Sequence, residues 1–161
     1  MVSKKTTKKI LPLLLTILVF GLIAIFVYLL PSSNDPVQVV KTVENSLASG
    51  DYPTVFNLSV NQNGQPLSEI CKGNLTMEYD NARMLNTTWI RQFGVPAPCS
   101  QAPDVIYLFK IYGNKTPPTD CQAVPVNTTI IRGNSTYYRY DLNVSVLKIG
   151  NDWKMVWFCD Y

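Results

Sequence analysis

The sequence predicts a small α+β domain carried on one N-terminal transmembrane helix, and three observations predict it. Ile10–Leu30 is an uncharged run of twenty-one residues. A helix-spaced apolar stripe follows, punctuated by Asp35-Pro36 before it and Gly50 after it. From Thr136 onward the periodicity is alternating rather than helical. A chain of 161 residues has room for one domain and an appendage. The divisions read as a cytoplasmic tail over residues 1–9, a membrane helix over 10–30 and an exterior domain over 31–161.

At about 1.5 Å per residue the first run spans roughly 30 Å, the thickness of a bilayer's hydrocarbon core. Pro12 stands near its start, where a helix tolerates proline, and Tyr28 near its outer end, where an aromatic anchor is favoured. Lys4, Lys5, Lys8 and Lys9 precede it and place the N-terminus on the cytoplasmic side. A cleaved signal peptide has the same charge order, but its apolar core is usually about 7–15 residues and ends in a small-residue motif. This run is longer, and YLLPSSND offers no such motif. The expectation is a retained signal-anchor in the cell membrane, in contact with lipid, with everything after Pro31 outside.

Glycosylation signals and cysteines agree with that compartment. Seven sequons occur, at Asn57, Asn74, Asn86, Asn114, Asn127, Asn134 and Asn143. The density of Asn, Ser and Thr beyond Pro31 would give about two by chance, so N-linked glycans are expected. The alternative is a surface merely rich in these residues. Cys71, Cys99, Cys121 and Cys159 all lie in the exterior part, and none forms a C-x-x-C pair. Two structural disulfides are the better reading in an oxidising compartment. Of the three pairings, Cys71–Cys99 with Cys121–Cys159 is favoured, because each would tie a loop containing Pro or Gly to a regular element.

Within the domain, residues 36–49 read as a helix: Asp35 caps it, Pro36 takes its first position and Gly50 ends it. Val37, Val39, Val40, Val43, Leu47 and Ala48 form its apolar face, and Glu44 projects into the same stripe. Asp51-Tyr52-Pro53 starts a second, short helix. Residues 60–78 read mostly as loop, and Tyr79–Phe93 as a third helix with Ala82, Leu85, Trp89 and Phe93 on one face. Asn86 projects onto that face, which conflicts with a glycan there. Val105–Tyr112 and Val124–Ile131 read as strands, the second demoted by Pro125 to an edge or bulged strand. In Thr136–Lys148, Tyr138, Tyr140, Leu142, Val144 and Val146 point one way, and Tyr137, Arg139, Asp141, Asn143 and Ser145 the other. Ile149–Asp152 turns the chain into a last strand with Trp153, Met155, Trp157 and Cys159 on one face.

DPVQVVKTVENSLASGDYPTVFNL resembles the opening of the NTF2-like (cystatin-like α+β) superfamily, an amphipathic helix and a Gly-Asp-Tyr step into a second helix. LNVSVLKIGNDWKMVWF is similar to the closing hairpin of that family. Together these motifs cover about forty of some 130 exterior residues, and residues 60–120 depart from the pattern. The resemblance implies two or three helices packed on a curved antiparallel sheet, often with a conical pocket between them.

The chemistry available is narrow. Histidine is absent, which removes the commonest general base, metal ligand and pH switch. Ten basic against eleven acidic residues beyond Leu30 leave no cationic surface for nucleic acid. Gly64, Gly73, Gly94, Gly113, Gly133 and Gly150 are isolated, so no phosphate-cradling loop exists. No metal and no cofactor is expected. The weak catalytic candidates are Glu44, with a burial-raised pKa, and Tyr138 and Tyr140 as donors to an oxyanion. In the plainer reading Glu44 reaches water at a rim and the tyrosines are core aromatics. The expected role is a non-catalytic binding module or an accessory subunit of a membrane or cell-surface complex, with a protein partner. The alternative is a pocket enzyme using Glu44 as acid and base.

Overall fold

The computed structural model describes residues 35–113, 115–133 and 135–159, with backbone alone for residues 137–140. The tail and the Ile10–Leu30 run lie outside these residues. Among the described residues no helix is long and apolar enough to cross a membrane.

The domain is α+β. Helix α1 is Pro36–Ser49 and helix α2 is Tyr52–Asn57. The Asp35 carboxylate accepts from the Val37 N–H at 2.9 Å. Gly50 ends α1 at φ 80°, in the left-handed region that favours glycine. The Arg83 guanidinium packs against that glycine and donates at 3.5 Å to the Leu47 carbonyl, which also accepts from the Gly50 N–H at 3.3 Å. Val39, Val40, Val43 and Leu47 are buried along one stripe, each contributing about 1.5–3 kcal/mol.

The short strand β1, Ser59–Asn61, follows, and then helix α3, Glu69–Met84, so residues 60–78 are not mostly loop. Ser68 caps α3 by accepting from the Cys71 N–H at 3.2 Å, and Cys71 and Leu75 are its buried residues. The helix expected over Tyr79–Phe93 is divided. Asn86 stands at φ 49°, which asparagine tolerates, and stops the helix. Thr87–Phe93 then runs as strand β2, where β-branched and aromatic side chains fit a pleated surface. The conflict at Asn86 disappears, because Asn86 is exposed at the boundary.

Strand β3 is Ala97–Pro98, followed by a 3₁₀ turn at Cys99–Gln101 and helix α4, Pro103–Gly113. The run read as a strand at Val105–Tyr112 is therefore helical. Pro103 begins it, Asp104 stands in its first turn, and Val105 and Phe109 are buried one turn apart. Strands β4, Cys121–Arg132, β5, Ser135–Ile149, and β6, Asp152–Trp157, complete the chain.

The sheet order is β1-β6-β5-β4-β2, with β3 also on β4. The β1–β6 pair is parallel and the others are antiparallel, so the sheet is mixed rather than wholly antiparallel. Strand β4 is interior, which corrects the edge half of the reading, while its register against β5 shifts between Ile130 and Ile131, as in a bulged strand. Pro125 sits where the partner of β4 changes from β2 to β3. Its carbonyl accepts from the Gly94 N–H at 2.8 Å. The missing proline N–H points to the same side, into the break between the two partners.

Helices α1 and α2 cover one sheet face through Val124, Val126, Val144, Val146 and Met155. Helix α4 covers part of the other through Ala123, Leu147 and Val156. Trp153 and Trp157 pack on the α1 side as the alternation predicts, whereas Leu142 is 36% exposed.

All four cysteines are oxidised, but the pairs are Cys71–Cys159 and Cys99–Cys121. The favoured pairing fails for two structural reasons. Cys71 lies in the first turn of α3, whose buried residues Cys71 and Leu75 pack with Trp157 and Cys159 at the end of β6. Cys99 directly follows the β3–β4 register Ala97↔Ala123, Pro98↔Gln122, which leads it to Cys121.

Candidate functional site

Helix α1 carries one ionisable side chain into its buried stripe, Glu44. Opposite it stands β2, in which Trp89, Arg91 and Phe93 are the partly buried alternation and Thr88, Ile90 and Gln92 the exposed one. Arg91 Nη2 lies 2.6 Å from Glu44 Oε2, and both side chains are only 9% exposed. Oε2 accepts no aligned hydrogen bond, so the contact is a charge pair rather than a directional bond. The Arg91 guanidinium lies 5.5 Å from the Trp89 ring centre, and Trp89 contacts Tyr79 of α3 at 5.5 Å between ring centres. Thr128, the register partner of Arg91 on β4, is buried.

Burial pushes the Glu44 carboxyl above its ordinary value of 4.5, and Arg91 pulls it partly back. A proton-transfer catalyst also needs room for a substrate. Three grooves in the described surface, one passing Pro125, one Gly73 and one Thr129, are not lined by Glu44. Tyr138 and Tyr140 pair through their backbones with Ile130 and Thr128, while their side chains fall outside the described part. The structure therefore brings Glu44 to Arg91, a partner that sequence reasoning missed because it placed Arg91 on a helix. Among the described residues no three Cys, Asp or Glu side chains gather where they could hold a metal ion.

A second polar cluster went unread in the sequence. The Tyr52 hydroxyl donates to Asp80 Oδ1 at 2.6 Å, and Asp80 forms an ion pair with Arg83. Burial, followed by the bond to Asp80, pushes the Tyr52 hydroxyl above its usual range. It therefore acts as a donor that fixes α3 against α2. The signal was the Asp80-x-x-Arg83 spacing, which brings the two onto one helix face.

The described sequon asparagines Asn57, Asn74, Asn86 and Asn127 are exposed, and Asn143 is half-buried. Asn114 and Asn134 lie outside the described residues. Asn127 Nδ2 donates to Asp141 Oδ1 at 2.6 Å, and Asn143 Nδ2 donates to both Asp104 oxygens at 3.0 and 3.2 Å. On α4, Tyr107 and Ile111 are 61% and 51% exposed.

No protein-family model matches this chain, and no curated protein matches it in sequence.

Proposed function

We propose that this chain is a membrane-anchored exterior glycoprotein whose NTF2-like domain acts by binding or assembly rather than by catalysis. The observation that carries the reading is the closed state of the one catalytic candidate with a described side chain. Glu44 is clamped by Arg91 inside the core, its side chain only 9% exposed, and none of the three grooves described above opens on it. An acid so placed stabilises or tunes the fold and meets no substrate.

Other features support the same reading. Two disulfides suit an oxidising compartment. The uncharged run at residues 10–30 suits an anchor, and exposed sequons suit N-linked glycans in a domain held outside. The order of two capped helices followed by long strands and a final hairpin supports the NTF2-like assignment. The parallel β1–β6 pair and the helix on the second sheet face are local departures from it. Helix α4 is apolar on nearly every side yet buries only Val105 and Phe109. Side chains such as Tyr107 and Ile111, left in water, favour an assembled state with a neighbouring protein.

The test is purification of the full chain from its native membrane in mild detergent. The expected result is an intact N-terminus, occupied sequons and a stoichiometric protein partner that Ile111→Glu releases while both disulfides stay closed. Glu44→Gln should lower thermal stability and leave the partner bound. A monomer free of partners, with a measurable turnover that Glu44→Gln abolishes, would replace this reading with the pocket enzyme.

A further inference from the structure

Helix α3 presents apolar side chains to water in a regular line. Ile70, Met77 and Met84 are 69%, 60% and 80% exposed. Their seven-residue spacing aligns them along one side of a helix of about 3.6 residues per turn. Asn74 and Asn81, both exposed, fill the intervening turns of that line. The opposite side, Cys71 and Leu75, packs against Leu67, Phe56 and Trp157. Beside Asn74 stands Gly73, where an added Cβ would meet nothing within 4 Å. A groove of about 550 Å³ passes this glycine, lined also by Phe56, Glu69, Lys72, Thr76 and Met77.

The line contains its own cover. Asn74-Leu75-Thr76 is a sequon, and Asn74 lies one turn from Ile70 on one side and Met77 on the other, roughly 5 Å along the axis each way. Its amide has no hydrogen-bond partner among the described residues, whereas Nδ2 of Asn127 and Asn143 is taken by carboxylates. We propose that Asn74 carries an N-linked oligosaccharide whose first sugars lie over Ile70 and Met77 and reach the edge of the Gly73 groove at Met77. The sugar then serves as the missing cover of this helix face. Sugar rings have apolar C–H faces that pack on such side chains, and the absent Gly73 side chain leaves them space. This proposal rests on the exterior placement proposed above.

The spacing Ile70-Asn74-Met77-Asn81-Met84 is also that of a helix-pairing seam. Three apolar residues over roughly 21 Å make a short seam, with polar residues in alternate positions, and a sugar at Asn74 blocks it. The oligosaccharide is therefore the favoured occupant, and a second copy is the competing one.

Trypsin releases Gly73–Arg83 as one peptide, in which Asn74 is the only sequon. Mass spectrometry of the native full chain should find this peptide glycosylated. Limited peroxide treatment should then oxidise Met77, relative to Met84, at least about threefold faster in Asn74→Gln than in the glycosylated protein. If Asn74→Gln does not fold, Thr76→Ala and the unoccupied glycoform of the native protein provide the same comparison. Equal oxidation with and without the sugar overturns the proposal. A bare Asn74 beside other occupied sequons overturns it too, and a dimer that Met77→Glu dissociates then identifies the seam. If no sequon is occupied, the exterior-glycoprotein reading itself fails.

Discussion

The two faces of the sheet are held by different means. On one face α1 buries four aliphatic residues against a valine-rich floor and adds the Glu44–Arg91 pair. On the other, α4 inserts Val105 and Phe109, with Phe158 edge-on to Phe109 at 5.1 Å, and leaves Tyr107 and Ile111 in water. There the Cys99–Cys121 bond adds what packing does not supply. In a domain of this size buried area is limited, so a lightly packed face depends on a covalent tie. The well-packed face can tolerate a buried charge, provided that the charge keeps its partner.

The largest expected effect tests that proviso. Arg91→Met leaves Glu44 buried without compensation and should cost about 3–5 kcal/mol in denaturant or thermal unfolding at neutral pH. The pH dependence has a definite sign. Burial raises the Glu44 pKa in the fold, so its contribution to stability is fully present below its unfolded value and is lost as pH rises through the folded value. Without Arg91 the folded value moves further up, and the loss at neutral pH grows. The gap between wild type and Arg91→Met should therefore narrow as pH falls through the raised folded values towards the ordinary carboxyl range. A gap that stays constant from neutral to acid pH would mean that the arginine acts by packing alone.

A smaller loss belongs to the other face. Replacing Cys99 and Cys121 together by serine opens a link between residues 22 apart, which the loop-closure model values at about 3 kcal/mol. Hydrogen exchange should place the damage first in α4 and leave the amides of α1 protected. If both helices lose protection equally, the two faces unfold as one unit and the contrast between them dissolves.

The same contrast explains what the sequence can reveal. Helix α1 is readable almost to the residue, because its caps are explicit and its buried stripe is narrow. Gln38, Lys41 and Asn45 face outward as that pattern requires, and of the expected apolar face only Ala48 turns out to be exposed at the last turn. Helix α4 is apolar nearly all round, so its run carries no period, and Pro103-Asp104 is the only cue against a strand besides length. Glu44 falls in the stripe on sequence alone, but Arg91 does not emerge as its partner. That requires recognising Asn86 as a stop and Thr87-Thr88-Trp89-Ile90 as strand-forming. The disulfide pairing is beyond local reading. One pair depends on a two-residue strand, and the other joins residues 88 apart through tertiary packing.

The smallest effect concerns how the first turn of α4 is fixed to the sheet. Asp104 accepts from the Asn143 backbone N–H at 3.2 Å as well as from its side-chain amide, so one carboxylate holds β5 at two points. The contact is exposed, and its net value is about 1 kcal/mol rather than the larger figure for buried charged bonds. Asp104→Ala should lower stability by that amount and loosen the start of α4 more than its end. Asn143→Ala removes the side-chain bonds but keeps the backbone one, so it should cost less. Because the two residues share the contact, the double variant should fall short of the sum, and a double-mutant cycle measures the shortfall. Strict additivity would mean that the clamp contributes nothing and that α4 is held by Val105, Phe109 and the disulfide alone.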